Sequence, residues 1–364
     1  MDIYSTYYLL AAVRAMRPEH TFFKRRYAPT DVNLDIFGTS KVLADYEDQE
    51  AKGAPFVLPR IGSVPVGREG FSTYELEPAN ISISMPLTID QLTKRSFGEG
   101  LMSGMTPADR ATKLQLEDLQ KLNRRISRTE EWLTIATMLD NGCTMQHQTE
   151  REDVFEDVKV KFYDGENNPA LYTPAAKWEH STKDDNGNII RGNWYKDICN
   201  MVRMLTRAGL PATDLLMSGD VAEFIIDDIW TQSVLDNRRM EMGHIAPEEL
   251  TEYVTVHGTL KFGGRNLLLI ESNGSFVDKS GQNVQYIPNG SVIVTAPACA
   301  RGLYGAVTQM EEDKQLHTRA GSRVPRHLCD VRTSTRETEL TARPLIVPKA
   351  KNPWTVAKNV LSDD

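Results

Sequence analysis

The stretch TPADRATKLQLEDLQKLNRRISRTEEWLTIATMLDNG, Thr106–Gly142, decides the fold. It opens with helix-start chemistry: Thr106 can cap, Pro107 suits the first helical position, and Asp109 sits among unpaired N–H groups. It closes on Asn141-Gly142, residue types that tolerate the left-handed conformation ending a helix. Leu119, Leu122, Ile126, Leu133 and Ala136 mark one face at three- and four-residue spacing. No Gly or Pro interrupts the run after Pro107. At 1.5 Å per residue this predicts one helix roughly 50 Å long. A long, mixed-charge helix with a narrow apolar stripe is either a coiled coil or a strut laid across a sheet. The rest of the chain selects the strut.

A chain of 364 residues suggests two or three domains and is long enough to bury a sizeable core. Its 25% charged and 40% hydrophobic residues are ordinary for a folded protein. The net charge of −8 argues against a protein that grips nucleic acid by neutralising phosphates. Cys143, Cys199, Cys299 and Cys329 are widely spread and include no CxxC pair, which suits a reducing compartment and no metal framework. The start, Met1-Asp2-Ile3-Tyr4, lacks the basic and apolar regions of a signal peptide. No apolar run approaches the ~18 residues a membrane span needs. A soluble chain made in the cytoplasm is expected.

Outward from the long helix, residues 5–16 read as a short helix. Ser5 caps it, Tyr8, Leu9, Ala12 and Met16 form a face, and Pro18 stops it. From 20 to 64 there is no convincing periodicity, yet Phe22, Phe23, Ile36 and Phe37 argue against disorder; an arm lying on a partner fits. Residues 61–95 alternate with period two on both sides of Glu77-Pro78-Ala79-Asn80, which predicts a long two-stranded ribbon. A bare ribbon is marginal in water and needs a neighbour to cover it.

Beyond the long helix, Val158, Val160 and Phe162 read as a half-buried strand, and Asp184-Asp185-Asn186-Gly187 as a hairpin turn. A compact α/β domain is expected from about 196 to 317. It has a helix on Ile198, Val202, Leu205 and Ala208, a buried strand at Leu215-Leu216-Met217, and one helix from Ser218 to Asp236. Glu248 to Tyr253 reads as further helix. A hairpin turns at Gly263-Gly264, and Val292-Ile293-Val294 is a buried strand. The tail strands Thr338–Leu340, Leu345–Val347 and Trp354–Val356 suit the sheet under the long helix, so one domain is inserted into another.

Catalytic and metal motifs are missing: there is no GxGxxG, P-loop, GxSxG or HExxH. His244 and His257 flank Glu248, Glu249 and Glu252, and solvated residues outweigh a carboxylate–imidazole pair there about nine to one. Glu311-Glu312-Asp313 reads as an exposed loop or helix start rather than a metal site. Cys143, near His147, is better read as a structural thiol than as a nucleophile. Arg124, Arg125 and Arg128 could bind phosphate, but a solvated or ion-paired face is at least three times likelier. No residue is assigned to catalysis, to a cofactor or to a metal.

Arm, ribbon, long helix, inserted domain and returning strands follow the order of tailed-phage major capsid proteins. The chain most resembles the lambda-type branch, the phage major capsid protein E family, over nearly all its length. The wording that carries the resemblance is Tyr4-Ser5-Thr6, Leu9-Leu10-Ala11-Ala12, Gly67-Arg68-Glu69-Gly70, Ala300-Arg301-Gly302-Leu303 and Arg323-Val324-Pro325-Arg326. The resemblance implies an α+β, HK97-like capsid fold. It assigns 1–60 to an N-terminal arm, 61–95 to the extended E-loop β-ribbon, and 96–195 to a peripheral domain with a spine helix at about 107–140. An inserted axial domain would cover 196–317, and 318–364 would return to the peripheral domain. Inter-subunit contacts are then expected at Arg68, Glu69, Phe71, Tyr74 and Glu75 of the ribbon and at Arg124, Arg125 and Arg128 of the helix.

The implied role is a homo-oligomeric shell rather than an enzyme. Hexamers and pentamers would form an icosahedral virion capsid in the bacterial host cytoplasm. The shell would enclose double-stranded DNA without sequence-specific binding and would expand on maturation. A separate scaffold protein, a portal and a decoration protein are the implied partners, with no membrane and no cofactor. No lysine lies between Lys52 and Lys94, so no E-loop isopeptide is expected. The alternative is an encapsulin-like compartment shell.

Overall fold

The structure is a computed structural model that describes residues 6–16, 21–47, 71–88, 106–148, 155–162, 170–236, 243–251, 253–277, 281–311, 314–330 and 335–362. In chain order these form α1 (Thr6–Ala15), α2 (Phe23–Tyr27), β1 (Val42–Glu47), β2 (Phe71–Leu76), β3 (Ile81–Leu87) and α3 (Pro107–Asp140). Then come β4 (Gly142–Gln148), β5 (Phe155–Lys161), β6 (Thr182–Lys183), β7 (Ile189–Ile190), α4 (Asn193–Arg207), β8 (Asp214–Ser218), α5 (Gly219–Asp227) and α6 (Ile229–Asp236). Next are β9 (Gly243–Thr251), β10 (Val254–Phe262), β11 (Arg265–Ser272), β12 (Ser275–Val277), β13 (Asn283–Gln285), β14 (Val292–Thr295) and β15 (Ala300–Tyr304). The chain closes with β16 (Val307–Met310), β17 (Leu316–Arg319), β18 (Val324–Asp330), β19 (Thr335–Ala342), β20 (Pro344–Pro348) and β21 (Thr355–Ala357).

The long helix begins and ends where its sequence chemistry predicts. The Thr106 hydroxyl accepts the Asp109 amide at 3.2 Å, and the Asp109 carboxylate accepts the Thr106 amide at 3.1 Å, a reciprocal capping box. At the other end Asn141 is left-handed (φ 53°) and donates through its side chain to the Phe162 carbonyl at 2.7 Å. Gly142 has φ 141°, and a Cβ there would lie 2.0 Å from the Val160 carbonyl oxygen, so β5 can approach only a glycine.

The strut reading holds for half of this helix. Around its middle Leu122 and Ile126 pack on Leu340 and Ala342 of β19, with Ile81, Ile83 and Met85 of β3 and Val13 of α1 around them. From Glu130 to Leu139, however, only Trp132 is not fully buried. Thr134 and Thr137 satisfy their buried hydroxyls on the carbonyls four residues back, at 2.9 and 2.8 Å. The last turns of α3 are therefore a core helix.

The main sheet has the order β21-β14-β8-β11-β10-β9, with β8 and β11 parallel and the other neighbours antiparallel. It separates two cores. Leu216, Ile270, Ile293 and Val356 share one cluster with Leu133, Ile135 and Met138 of α3 and with Phe23 of α2. Leu215, Met217, Leu267, Leu269, Val292 and Val294 belong to the other cluster, under α4 and α5. Alternation along each strand gives one sheet two buried faces.

Several expectations are corrected. The alternating runs at Phe71–Leu76 and Ile81–Leu87 do not form a ribbon with each other: β2 pairs with β1, Val42 opposite Leu76, and β3 pairs with β19, Leu340 opposite Ile83. Between them Arg343 donates to the Pro78 carbonyl and the Glu77 carboxylate, both at 3.1 Å, and holds the chain as it leaves one pair for another sheet. Residues 243–251 are strand, not helix, because β10 pairs along them. The helix expected from Ser218 to Asp236 breaks at Asp228 (ψ 133°), whose buried carboxylate turns inward to accept the amides of Ser181 (2.7 Å) and Trp230 (2.8 Å).

The tail and the domain edges also differ. Strand β21 joins the main sheet beside β14, and β20 pairs with β15 rather than with the sheet under α3. Trp178, Trp194 and Val360 share the core of Leu215, so the compact unit takes in residues on both sides of 196–317. Phe22 and Phe23 pack in the chain's own core, which corrects the partner-covered arm for residues 22–28. Ser5, Pro18 and the run Phe56-Val57-Leu58 lie outside the described residues.

Candidate functional site

Two adjacent carboxylates on α3, Glu130 and Glu131, form the most heavily bonded polar node in the described structure, and both are almost wholly buried. Glu131 accepts the backbone amides of Phe22 (3.1 Å), Phe23 (2.8 Å) and Lys24 (2.8 Å), and the Tyr253 hydroxyl at 2.9 Å. Phe22 has no side chain able to cap α2, so a residue more than a hundred positions away satisfies that helix's free N–H groups. Burial pushes the Glu131 carboxyl up, against the pull of those hydrogen bonds.

Glu130 is bonded differently. Arg323 grips both its oxygens, at 2.7 and 2.8 Å, Lys24 reaches it at 2.7 Å, and the Tyr304 hydroxyl donates at 2.7 Å. Burial pushes this carboxyl up, but Arg323 and then Lys24 outweigh it and hold it at about 2. The Arg323 fork is completed by Asn123, which accepts from its Nε at 2.9 Å. Two more buried carboxylates continue the pattern. Asp214 takes Arg26 at 2.7 Å and the Tyr27 hydroxyl at 2.8 Å, and Asp35 takes Arg301. Residues 22–35 are thus pinned to the body of the chain by three ion pairs and one helix cap.

This arrangement anchors: its carboxylates are occupied by the donors named above. Burial pushes the Cys143 thiol up to about 12, which fits a structural residue and not a nucleophile. His257 faces a carboxylate, but that of Glu271 across β10 and β11. His244, Glu248 and Glu249 lie on β9, and Glu252 lies outside the described residues. Glu311 is a salt-bridge partner of Arg319 (2.8 Å), while Glu312 and Asp313 are outside the described residues. Among the described residues no group of three or more His, Cys, Asp or Glu could hold a metal, and no helix is long and apolar enough to cross a membrane.

The residues expected to make inter-subunit contacts do not converge on one site. Arg68 and Glu69 lie outside the described residues; Phe71 and Tyr74 lie on β2, opposite Glu47 and Ala44. Glu75 is exposed and 3.4 Å from Lys41. Arg124, Arg125 and Arg128 are exposed on α3. Sequence reasoning missed Glu130, Glu131 and Arg323. The available signal was spacing: Glu130 falls four residues after Ile126 and three before Leu133, on the apolar face. Arg301 and Arg323 stand in two of the stretches that carry the resemblance, and here they are the cations facing Asp35 and Glu130.

The fold is shared with known proteins. Over 98% of its length the chain superposes on 99% of a protein assigned as a prophage capsid protein of E. coli CFT073, with a TM-score of 0.61 at 16% identity. At that identity the likeness is one of fold. Weaker likenesses include the procapsid of satellite phage P4 with its size-determination protein (TM-score 0.44, 11% identity, 98% of this chain and 100% of that one). Another is the SrpI encapsulin of Synechococcus elongatus PCC 7942 (TM-score 0.45, 9% identity, 97% and 95%). No curated protein sequence matches. The family model described as phage major capsid protein E matches residues 5–359. The chain therefore belongs to the phage major capsid protein E family, structural proteins of the phage shell with the HK97-like capsid fold.

Proposed function

We propose that copies of this chain assemble as hexamers and pentamers of an icosahedral shell that encloses double-stranded DNA and expands as it matures. The observation that carries the reading, beyond family membership, is the β1–β2 pair. Among the described residues it is a two-stranded ribbon in no larger sheet, with Leu43 54% exposed, and such ribbons are marginal in water until covered. A neighbouring copy supplies the cover, which links ordering of the ribbon to assembly. In this reading Val42–Leu76 bounds the E-loop, α3 is the spine helix, and the main sheet with α4, α5 and α6 is the axial domain.

The corrected ribbon changes one expectation. Lys52 falls in sequence between β1 and β2, so the lysine-free run from 53 to 93 does not by itself exclude an isopeptide in this loop. A scaffold, a portal and a decoration protein remain the proposed partners, and the net charge of −8 suits a shell that must not trap its genome.

The test is negative-stain microscopy of the full chain, expressed alone and with the other head proteins of its phage. Closed shells or five- and sixfold rings are expected. A chain that stays monomeric under both conditions at low salt would sink the proposal. Nuclease-protected DNA inside particles separates the virion from the encapsulin-like alternative, which would hold protein cargo.

A further inference from the structure

Helices α4 and α5 expose two charged ridges of opposite sign. On α4, Lys196, Arg203 and Arg207 follow one another at seven- and four-residue spacing and are all exposed. On α5, Glu223 and Asp227 are exposed four residues apart. These spacings put each set on one side of its helix. None of the five makes an ion pair within the chain among the described residues, although both helices cover the same face of one sheet.

Each ridge also has exposed apolar surface beside it. Met204 is 37% exposed between Arg203 and Arg207, and Ile229, two residues past Asp227, is 40% exposed. The two ridges lie over different parts of the sheet: α4 runs from β10, where the Tyr195 hydroxyl donates to the Lys261 carbonyl at 3.3 Å, toward β21. The second half of α4 reaches β21, where Thr355 donates to the Met201 carbonyl at 3.2 Å and Met204 borders a cavity with Ala350 and Trp354. Helix α5 lies on β8 and β11, and α6 leads on from it to β9 at the opposite edge.

We propose that the basic ridge of α4 on one copy seats against the acidic ridge of α5 on the next. The partner is a second copy of this chain, because the chain carries both complementary ridges and pairs neither with the other among the described residues. Two different patches meeting in this way make a head-to-tail contact, which closes into a ring when the rotation between copies permits. This inference rests on the reading of the chain as a ring-forming shell subunit and names the surface that sets the ring. Charge of one sign facing the other speeds encounter and rejects wrong registers, and it weakens as salt rises.

The experiment is charge reversal in the full chain, read by sedimentation velocity and negative-stain microscopy at low salt. Arg203→Glu with Arg207→Glu, or Glu223→Arg with Asp227→Arg, is expected to weaken association by about tenfold or more through like-charge contact. Both pairs in one chain restore it. An equimolar mixture of the two singly reversed chains can only alternate around a ring. It is therefore expected to give six-membered rings but no pentamers and no closed shells. The ridge contact is overturned if each single reversal assembles like the wild type. It is equally overturned if the combined reversal is no better than the singles while all variants melt like the wild type. A wild type that never associates, with or without the other head proteins, overturns the shell reading itself.

Discussion

Glu130 and Glu131 are neighbours in sequence with opposite electrostatic fates. Glu130 is held at about 2 by Arg323 and Lys24 against the opposing effect of burial, so it contributes stability above its unfolded value near 4.5. That contribution is lost as the pH falls from 4.5 toward 2. Glu131 has no salt-bridge partner among the described residues, and its raised carboxyl has the reverse sign: its contribution improves as the pH falls through its window. Comparing wild type with Glu130→Gln by urea unfolding isolates the first effect. The gap between them is expected to narrow by roughly 3 kcal/mol between pH 6 and pH 2. A gap that does not change with pH would show that Glu130 is not held by its charge. Arg323→Ala should cost about 3 kcal/mol at neutral pH, since it strips the fork from a buried carboxylate. None of this was legible as a site in the sequence. Two glutamates in a helix read as solvated surface unless their place on the apolar stripe is weighed.

At the scale of elements, the sequence speaks clearly where a local rule decides and poorly where a partner decides. The start of α3 follows from Thr106, Pro107 and Asp109, which act within four residues of themselves, and its end is marked by the positive-φ residues Asn141 and Gly142. The strands β2 and β3 are visible as alternation, but alternation does not name the neighbour, so the sequence joins them across Glu77–Asn80, while β1 lies in a stretch without convincing periodicity. Asp228 breaks a helix because of Ser181, 47 residues away, and β9 is a strand because β10 lies beside it. The two ends of α3 offer a graded test. Thr106→Ala removes a solvent-exposed cap and is expected to destabilise by about 1 kcal/mol. Gly142→Ala forces a Cβ into the Val160 carbonyl oxygen at positive φ and is expected to cost about 3 kcal/mol or more. Equal effects on thermal midpoints would mean that β5 moves to accept the methyl group.

At the scale of the whole molecule, the chain divides into parts that are complete alone and a part that is not. Two cores lie on either side of the main sheet, and residues 22–35 are bound to the body by Glu130, Glu131, Asp214 and Arg301. The β1–β2 ribbon has no third strand among the described residues; at one end Val42 and Leu76 join the first core, while Leu43 faces solvent opposite Glu75. The order of elements was readable because each part has a local signature; how the ribbon is covered was not, because its cover is another molecule. A substitution at Leu43 therefore separates folding from assembly. Leu43→Asp should change the stability of the isolated chain by less than about 0.5 kcal/mol, since the side chain is already half in water. In a shell the same carboxylate would be buried without a partner beside Glu75, and assembly should fail. Unfolding curves and microscopy on the same preparation read both quantities. A stable monomer that no longer forms rings or shells is the expected result. Normal shells from Leu43→Asp would mean that this face of the ribbon stays in water in the particle, and the ribbon would lose its role as the piece that a neighbouring copy completes.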